Sequence, residues 1–203
     1  ACAGDIAAGG RFLDHLTPFV WRRHLDFNAI RETHDMRLKI RAHKGLGGGL
    51  MLEGHNLKLG FGGIREIEFF AQTRQLIAGG RDPDLRLRGT VPALAKLAQK
   101  GWIEAEVAEV LSTDYIAHRE VEHRLQMLRD AQTHSLPTTP EEFDRLAALM
   151  GASTDDMRAA IAERCTRVNA LTEDFFAPGE AAPAPGLPEE QAEITARWST
   201  YPC

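Results

Sequence analysis

The sequence predicts a mainly α fold, a helical bundle carrying one small β-hairpin. Three observations predict it. Apolar residues recur at gaps of three and four over most of residues 10–176. These runs are bounded by capping residues, glycines or prolines. One stretch alone, "LMLEGHNLKLG" at 50–60, alternates as a strand does, and it breaks at Gly54-His55-Asn56, where a hairpin would turn.

The elements follow in order. "GGRFLDHLTPFVWRRH" sets Phe12, Leu16, Phe19 and Val20 on one helical face, with Pro18 a point for a kink. "DFNAIRETHDMRLKIRAHK" repeats the pattern through Phe27, Ile30, His34 and Leu38. "GLGGGL" at 45–50 is a glycine loop. After the hairpin, a helix starts near Ile64 and stops at Gly79-Gly80, where Asp82-Pro83 prevents continuation. "TVPALAKLAQKG" gives a short helix with Thr90 as N-cap and Gly101 past its end. The longest helix runs from about Glu104 to Arg129, with a seam of Val107, Leu111, Tyr115, His118, Val121, Leu125 and Leu128. "TTPEEFDRLAALMG" and "STDDMRAAIAERCTRVNALTEDFF" each open with a capping residue followed by acids, which the helix dipole favours. Residues 177–188, "APGEAAPAPGLP", read as a semi-rigid linker, and "EEQAEITARW" beyond it as a short helix.

Composition bounds function loosely. A length of 203 residues can bury a real core, and no apolar run is long enough to span a bilayer, so no membrane role is expected. The net charge of −5 argues against general nucleic-acid binding. Its distribution is uneven, with eight Lys/Arg against five Asp/Glu in residues 1–44, so an anionic ligand is expected nearer the N-terminal part. Cys2, Cys165 and Cys203 form no C-x-x-C pair, and the simplest setting is reduced and cytoplasmic. Neither a signal peptide nor an initiating Met stands at the N-terminus, as expected of a piece of a longer chain.

The candidate site is "KLGFGGIREIEFF", residues 58–70. With a strand before it and a helix after it, Gly60, Gly62 and Gly63 would form a turn whose free amides face outward at a helix N-terminus, a common phosphate cradle. Lys58 and Arg65 would add cations. The dinucleotide fingerprint and the P-loop both fail here, and a tight connection is the plain alternative. On the helix, Ile64, Ile67, Phe70, Ala71, Ile77 and Ala78 share one arc while Phe69 and Leu76 make another. Glu68 falls with Gln72 and Gln75 in the polar gap and should be solvated. Glu66 falls between the arcs, where a carboxylate needs a partner. That partner is either the helix N-terminus or a metal ion or basic group on a ligand.

"HREVEH" at 118–123 holds no metal site, because His118 and His123 lie ~140° apart round a helix. His118 reads as a hydrogen-bonded core residue and His123 as a surface one. The basic runs "RLKIRAHK" and "WRRH" read as solvated helix faces, with phosphate or acidic-protein contact as the functional alternative.

"NLKLGFGGIREIEFFAQTRQLIAGGRDPDLR" and the distant "EHRLQMLRDAQTHSLP" together resemble the bifunctional glutamine synthetase adenylyltransferase/adenylyl-removing family, over roughly residues 10–176. The resemblance implies two nucleotidyltransferase units in tandem, each followed by a helical bundle. The arginine of "GGIREIEF" is similar to the first, adenylyl-removing unit; the second more usually has an aspartate next. The fold would then be the trailing part of a nucleotidyltransferase unit. Residues 1–63 would close that unit, 64–176 form the bundle, and 177–203 form a linker and the start of a following segment.

The resemblance also implies phosphorolysis of adenylyl-tyrosine on glutamine synthetase to ADP, with Mg2+, ATP/ADP and inorganic phosphate as cofactors of the whole enzyme. The Asp-x-Asp that binds the metals is absent, since Glu66-Ile67-Glu68 lies in helix and too close to Gly62-Gly63. The main metal ligands are therefore expected outside this chain, which would be inactive alone and bind none of these cofactors tightly. Lys58, Gly60, Gly62, Gly63 and Arg65 would face nucleotide or phosphate. Glu66 would be a third carboxylate or hold the neighbourhood of Arg65 in place. The alternative is a regulatory module that binds glutamine synthetase or the PII signal protein. A uridylyltransferase-like relative is a third reading, against which the Glu-Phe-Phe and Gln-Thr-His residues argue.

Overall fold

A computed structural model describes residues 4–22, 39 and 50–173. The expected second helix at 26–44, the basic run 37–44, the glycine loop and the linker lie outside the described residues, save Lys39 and Leu50. The described elements are α1 (Ile6–Val20), α2 (Ile64–Ala78), a 3-10 turn (Pro83–Leu85), α3 (Thr90–Gln99), α4 (Ala105–Arg129), α5 (Pro140–Met150) and α6 (Thr154–Glu173). The mainly α expectation holds.

Helices α2, α4 and α6 pack on one another at the centre, with α3 against α2 and α4, and α5 against α4 and α6. The core has two apolar halves. In one, Ile67, Phe70 and Ala71 of α2 meet Leu94 and Leu97 of α3, Leu111 of α4 and Val168 of α6. In the other, Val121 and Leu125 of α4 meet Phe143 and Leu146 of α5, Ile161 and Cys165 of α6, and Leu57 and Leu136 from the loops. α1 sits apart, with no buried residue; its Trp21 ring lies over Gly79 at the end of α2, and Arg86 stacks 5.6 Å from that ring.

Local signals explain most boundaries. The Thr139 hydroxyl accepts from the Glu142 amide at 3.4 Å, and Pro140 occupies the first helical position of α5. Ser153 accepts from the Asp156 amide at 3.1 Å and donates to its carboxylate at 2.7 Å, opening α6. α3 starts one residue earlier than expected, with Gly89 rather than Thr90 as N-cap.

The hairpin is not there. Residues 54–57 pair with the distant segment 134–137, joined by an isolated antiparallel bridge between Asn56 and Ser135. The Asn56 side chain is the cause: its Oδ1 accepts from the amides of Lys58 at 3.1 Å and Leu59 at 2.8 Å. The first residues of the expected returning strand are thereby held in an Asx turn instead.

Candidate functional site

The two motifs that carry the family resemblance meet in space. The Leu57 amide donates to the His134 carbonyl at 2.8 Å, the Leu136 amide to the His55 carbonyl at 2.8 Å, and the Gly54 amide to the Pro137 carbonyl at 3.0 Å. This contact fixes where the chain enters the glycine turn and α2.

The turn differs from the expected phosphate cradle. The amides of Gly60 and Gly63 donate to Asn56 and Gly60 carbonyls at 2.7 and 3.1 Å. Those of Ile64 and Arg65, the first of α2, donate to Leu57 and Lys58 carbonyls at 3.0 and 2.9 Å. Helix starts leave such amides orphaned, and here the preceding loop takes them up, so α2 has no side-chain cap. Gly60, Gly62 and Gly63 are all buried. Gly62 answers a packing demand. Its φ is +63°, and a Cβ built on it would lie 1.8 Å from the Cys165 carbonyl oxygen on α6. Among the expected ligands, only the side chains of Lys58, partly exposed, and Arg65, 53% exposed, reach outward.

The two glutamates part company. Glu68 is partly covered rather than solvated: Arg65 pairs with it at 3.1 Å and the Tyr115 hydroxyl donates to it at 3.3 Å. Glu66 is 3% exposed, and its Oε2 accepts from the Thr172 hydroxyl on α6 at 3.4 Å. Gln75, expected in the polar gap, is buried and donates to the Leu85 and Leu87 carbonyls at 2.6 and 2.8 Å, tying α2 to the following turn. Glu66 and Glu68 face different neighbours. Among the described residues no three His, Cys, Asp or Glu converge as metal ligands.

A polar layer separates the two apolar halves beneath the turn. Asp114 of α4, 3% exposed, receives both arms of Arg167 of α6 at 3.0 and 2.8 Å, with Arg164 Nε 3.8 Å away. The fork raises the Arg167 pKa through its hydrogen bonds with Asp114, while burial lowers that of Arg164. His118 is fully buried, with Nε2 3.1 Å from the Gly62 carbonyl; burial, then nearby Arg164, lower its pKa to about 3. His123 is exposed, as expected. On α4, Glu122 pairs with Arg119 at 2.7 Å, and His134 Nδ1 lies 2.7 Å from its other oxygen. Burial raises the Cys165 thiol to about 12. Asp114 and Glu122 went unseen in the sequence, although both follow the spacing of the α4 seam.

A family model described as GlnD PII-uridylyltransferase matches residues 31–176. The chain is 56% identical over 149 residues to a bifunctional glutamine synthetase adenylyltransferase/adenylyl-removing enzyme of Agrobacterium fabrum, covering 73% of this chain and 15% of the relative. It is 50% identical over 155 residues to the enzyme of that name from Rhodopseudomonas palustris, covering 76% of this chain and 16% of that one. The enzyme of that name from Rhizobium meliloti is 56% identical over 149 residues, with the same coverage as the first. This chain thus spans about 15% of the length of the curated relatives it matches. No described helix is long and apolar enough to cross a membrane.

Proposed function

This chain belongs to the GlnD PII-uridylyltransferase family, and we propose that it works as one part of a glutamine synthetase adenylyltransferase/adenylyl-removing enzyme. The identities of 50–56% with enzymes of that name favour adenylyl over uridylyl chemistry. Within that enzyme, the arginine of "GGIREIEF" supports the deadenylylating half. A phosphate oxygen would attack the phosphorus of adenylyl-tyrosine on glutamine synthetase. ADP forms, the tyrosyl oxygen leaves, and that oxygen takes a proton.

The observation that carries this reading is the placement of two cations on the rim of a rigid turn. Lys58 and Arg65 are joined through the backbone at 2.9 Å; Lys58 is partly exposed, and Arg65 is exposed with its guanidinium paired to Glu68. A guanidinium and an ammonium so placed neutralise phosphate oxygens, the main protein contribution in phosphoryl transfer. The role of the glycines is to seat this rim and not to touch phosphate themselves. Glu66 holds the first turn of α2 against α6. The paired carboxylates that the resemblance requires would come from chain outside these 203 residues, and the chain alone would be inactive. The setting would be cytoplasmic.

A second reading is favoured by the burial of Glu66: the bundle serves chiefly as a regulatory module, contacting glutamine synthetase or the PII signal protein. Arg65→Ala and Glu66→Gln, made in an enzyme of the relatives' full length, separate the two. Loss of phosphate-dependent ADP release in Arg65→Ala, with glutamine synthetase binding intact, supports the catalytic reading. Unchanged ADP release with weakened binding of glutamine synthetase or PII contradicts it and supports the module.

A further inference from the structure

The glycine turn is held from beneath by two imidazoles on consecutive carbonyls. His55 Nε2 lies 3.1 Å from the Phe61 carbonyl oxygen, and His118 Nε2 lies 3.1 Å from that of Gly62. A carbonyl oxygen only accepts, so each ring donates its Nε2–H, which fixes the Nε2–H form in any neutral ring. The rings come from different places: His55 from the loop paired with 134–137, His118 from the middle of α4. Cys165 closes the third side, its backbone against Gly62 and its sulfur 4.0 Å from His55 Nε2.

This geometry has a direction. With two successive carbonyls drawn into the bundle, the peptide planes of Phe61 and Gly62 cannot rotate without breaking a hydrogen bond, part-buried at Phe61 and buried at Gly62. Three residues after Gly62, Arg65 enters α2 with its amide on the Lys58 carbonyl at 2.9 Å. The two imidazole contacts thus lie within the loop that the Arg65–Lys58 backbone bond closes. His118 Nδ1 has no hydrogen-bond partner among the described residues, so the ring contributes its single donor and nothing else.

We propose that His55 and His118 are positioning residues that set Lys58 and Arg65 for an incoming phosphate. The inference rests on the functional reading above and adds what orients its rim. Neither ring touches the substrate. Each contact needs only the Nε2–H donor, and glutamine, whose side-chain amide donates over a similar reach, can replace either donor; leucine cannot.

The test compares His118→Leu with His118→Gln, and His55→Leu with His55→Gln. The less buried His55 pair keeps the comparison open if His118→Leu fails to fold. Amide hydrogen exchange is followed in the 203-residue chain, and the phosphate KM for ADP release in the full-length enzyme. The leucine variants are expected to speed exchange at 58–66 by about tenfold, while α5 is unchanged. They are expected to raise the phosphate KM by a similar factor, with the KM for adenylylated glutamine synthetase unchanged, and glutamine restores both. Exchange that rises evenly along the chain, or that glutamine fails to restore, overturns the clasp. Local loosening with an unchanged phosphate KM overturns the positioning role. If the unsubstituted full-length enzyme releases no ADP, the functional reading has failed, and the exchange result still decides the clasp.

Discussion

Gly62 and Cys165 touch backbone to backbone across the bundle: a Cβ at position 62 would lie 1.8 Å from the Cys165 carbonyl oxygen and 2.5 Å from its Cα. No rotamer relieves such a clash, because the obstacle is the main chain of a helix. The contact seats the start of α2 directly on α6.

Gly62→Ala is therefore expected to cost at least about 4 kcal/mol, or to prevent folding. Gly101→Ala is the control. Gly101 also has a positive φ, +73°, but nothing lies within 4 Å of its built Cβ, so the cost should be about 1 kcal/mol. Urea midpoints of the two variants measure the difference, and similar costs would mean that conformation rather than contact requires Gly62.

Asp114 is the counter-charge of the polar layer. Asp114→Ala leaves Arg164, whose side chain is 15% exposed, without its compensating carboxylate, and should cost about 3 kcal/mol. Arg167→Ala should cost about 1 kcal/mol, since that guanidinium is 40% exposed and solvent screens it. The double variant should cost little more than Asp114→Ala alone. Additive costs in a double-mutant cycle would show that the fork does not couple α4 to α6.

His118 makes stability depend on pH. Its folded-state pKa is lowered to about 3 from an ordinary 6.5, so the unfolded chain binds a proton that the folded chain refuses. The stabilisation is complete above about pH 6.5 and is lost as pH falls towards 3, with a slope of at most about 1.4 kcal/mol per unit. Between pH 7 and 5, the unsubstituted chain should lose stability more steeply than His118→Gln. Parallel curves would contradict a neutral buried ring.

The Cys165 thiol, pushed up to about 12 by burial, is a poor nucleophile at neutral pH. Peptide mapping after brief alkylation of the folded chain should find Cys165 unmodified, and modified once the chain is unfolded in urea. Rapid labelling of the folded chain would place the thiol at the surface.

The helices were legible because their signals are local. The cap of α5, the reciprocal Ser153–Asp156 contact of α6 and the α4 seam can each be read within a few residues. The hairpin was misread because alternation of apolar residues does not say what a strand pairs with. Asn56 captured the near donors, and the partner of residues 54–57 lay some eighty residues on, at 134–137. In the site, the residues of 58–66 were legible but the direction they face was not. That direction depends on His118 and Cys165, which only the packed bundle brings beneath the turn. Asp114 was missed for a related reason, since a carboxylate in an apolar seam becomes intelligible once Arg167 is placed opposite.

In the proposed enzyme, residues 58–66 would form one wall of a nucleotidyl-transfer site completed by chain outside these 203 residues. Phosphate-dependent ADP release from adenylylated glutamine synthetase tests it most directly, comparing this chain with a version extended upstream to include the expected carboxylate pair. Release is expected from the extended chain alone, abolished there by Arg65→Ala. Release by the 203-residue chain itself would contradict it and return the metal and phosphate ligands to residues within this sequence.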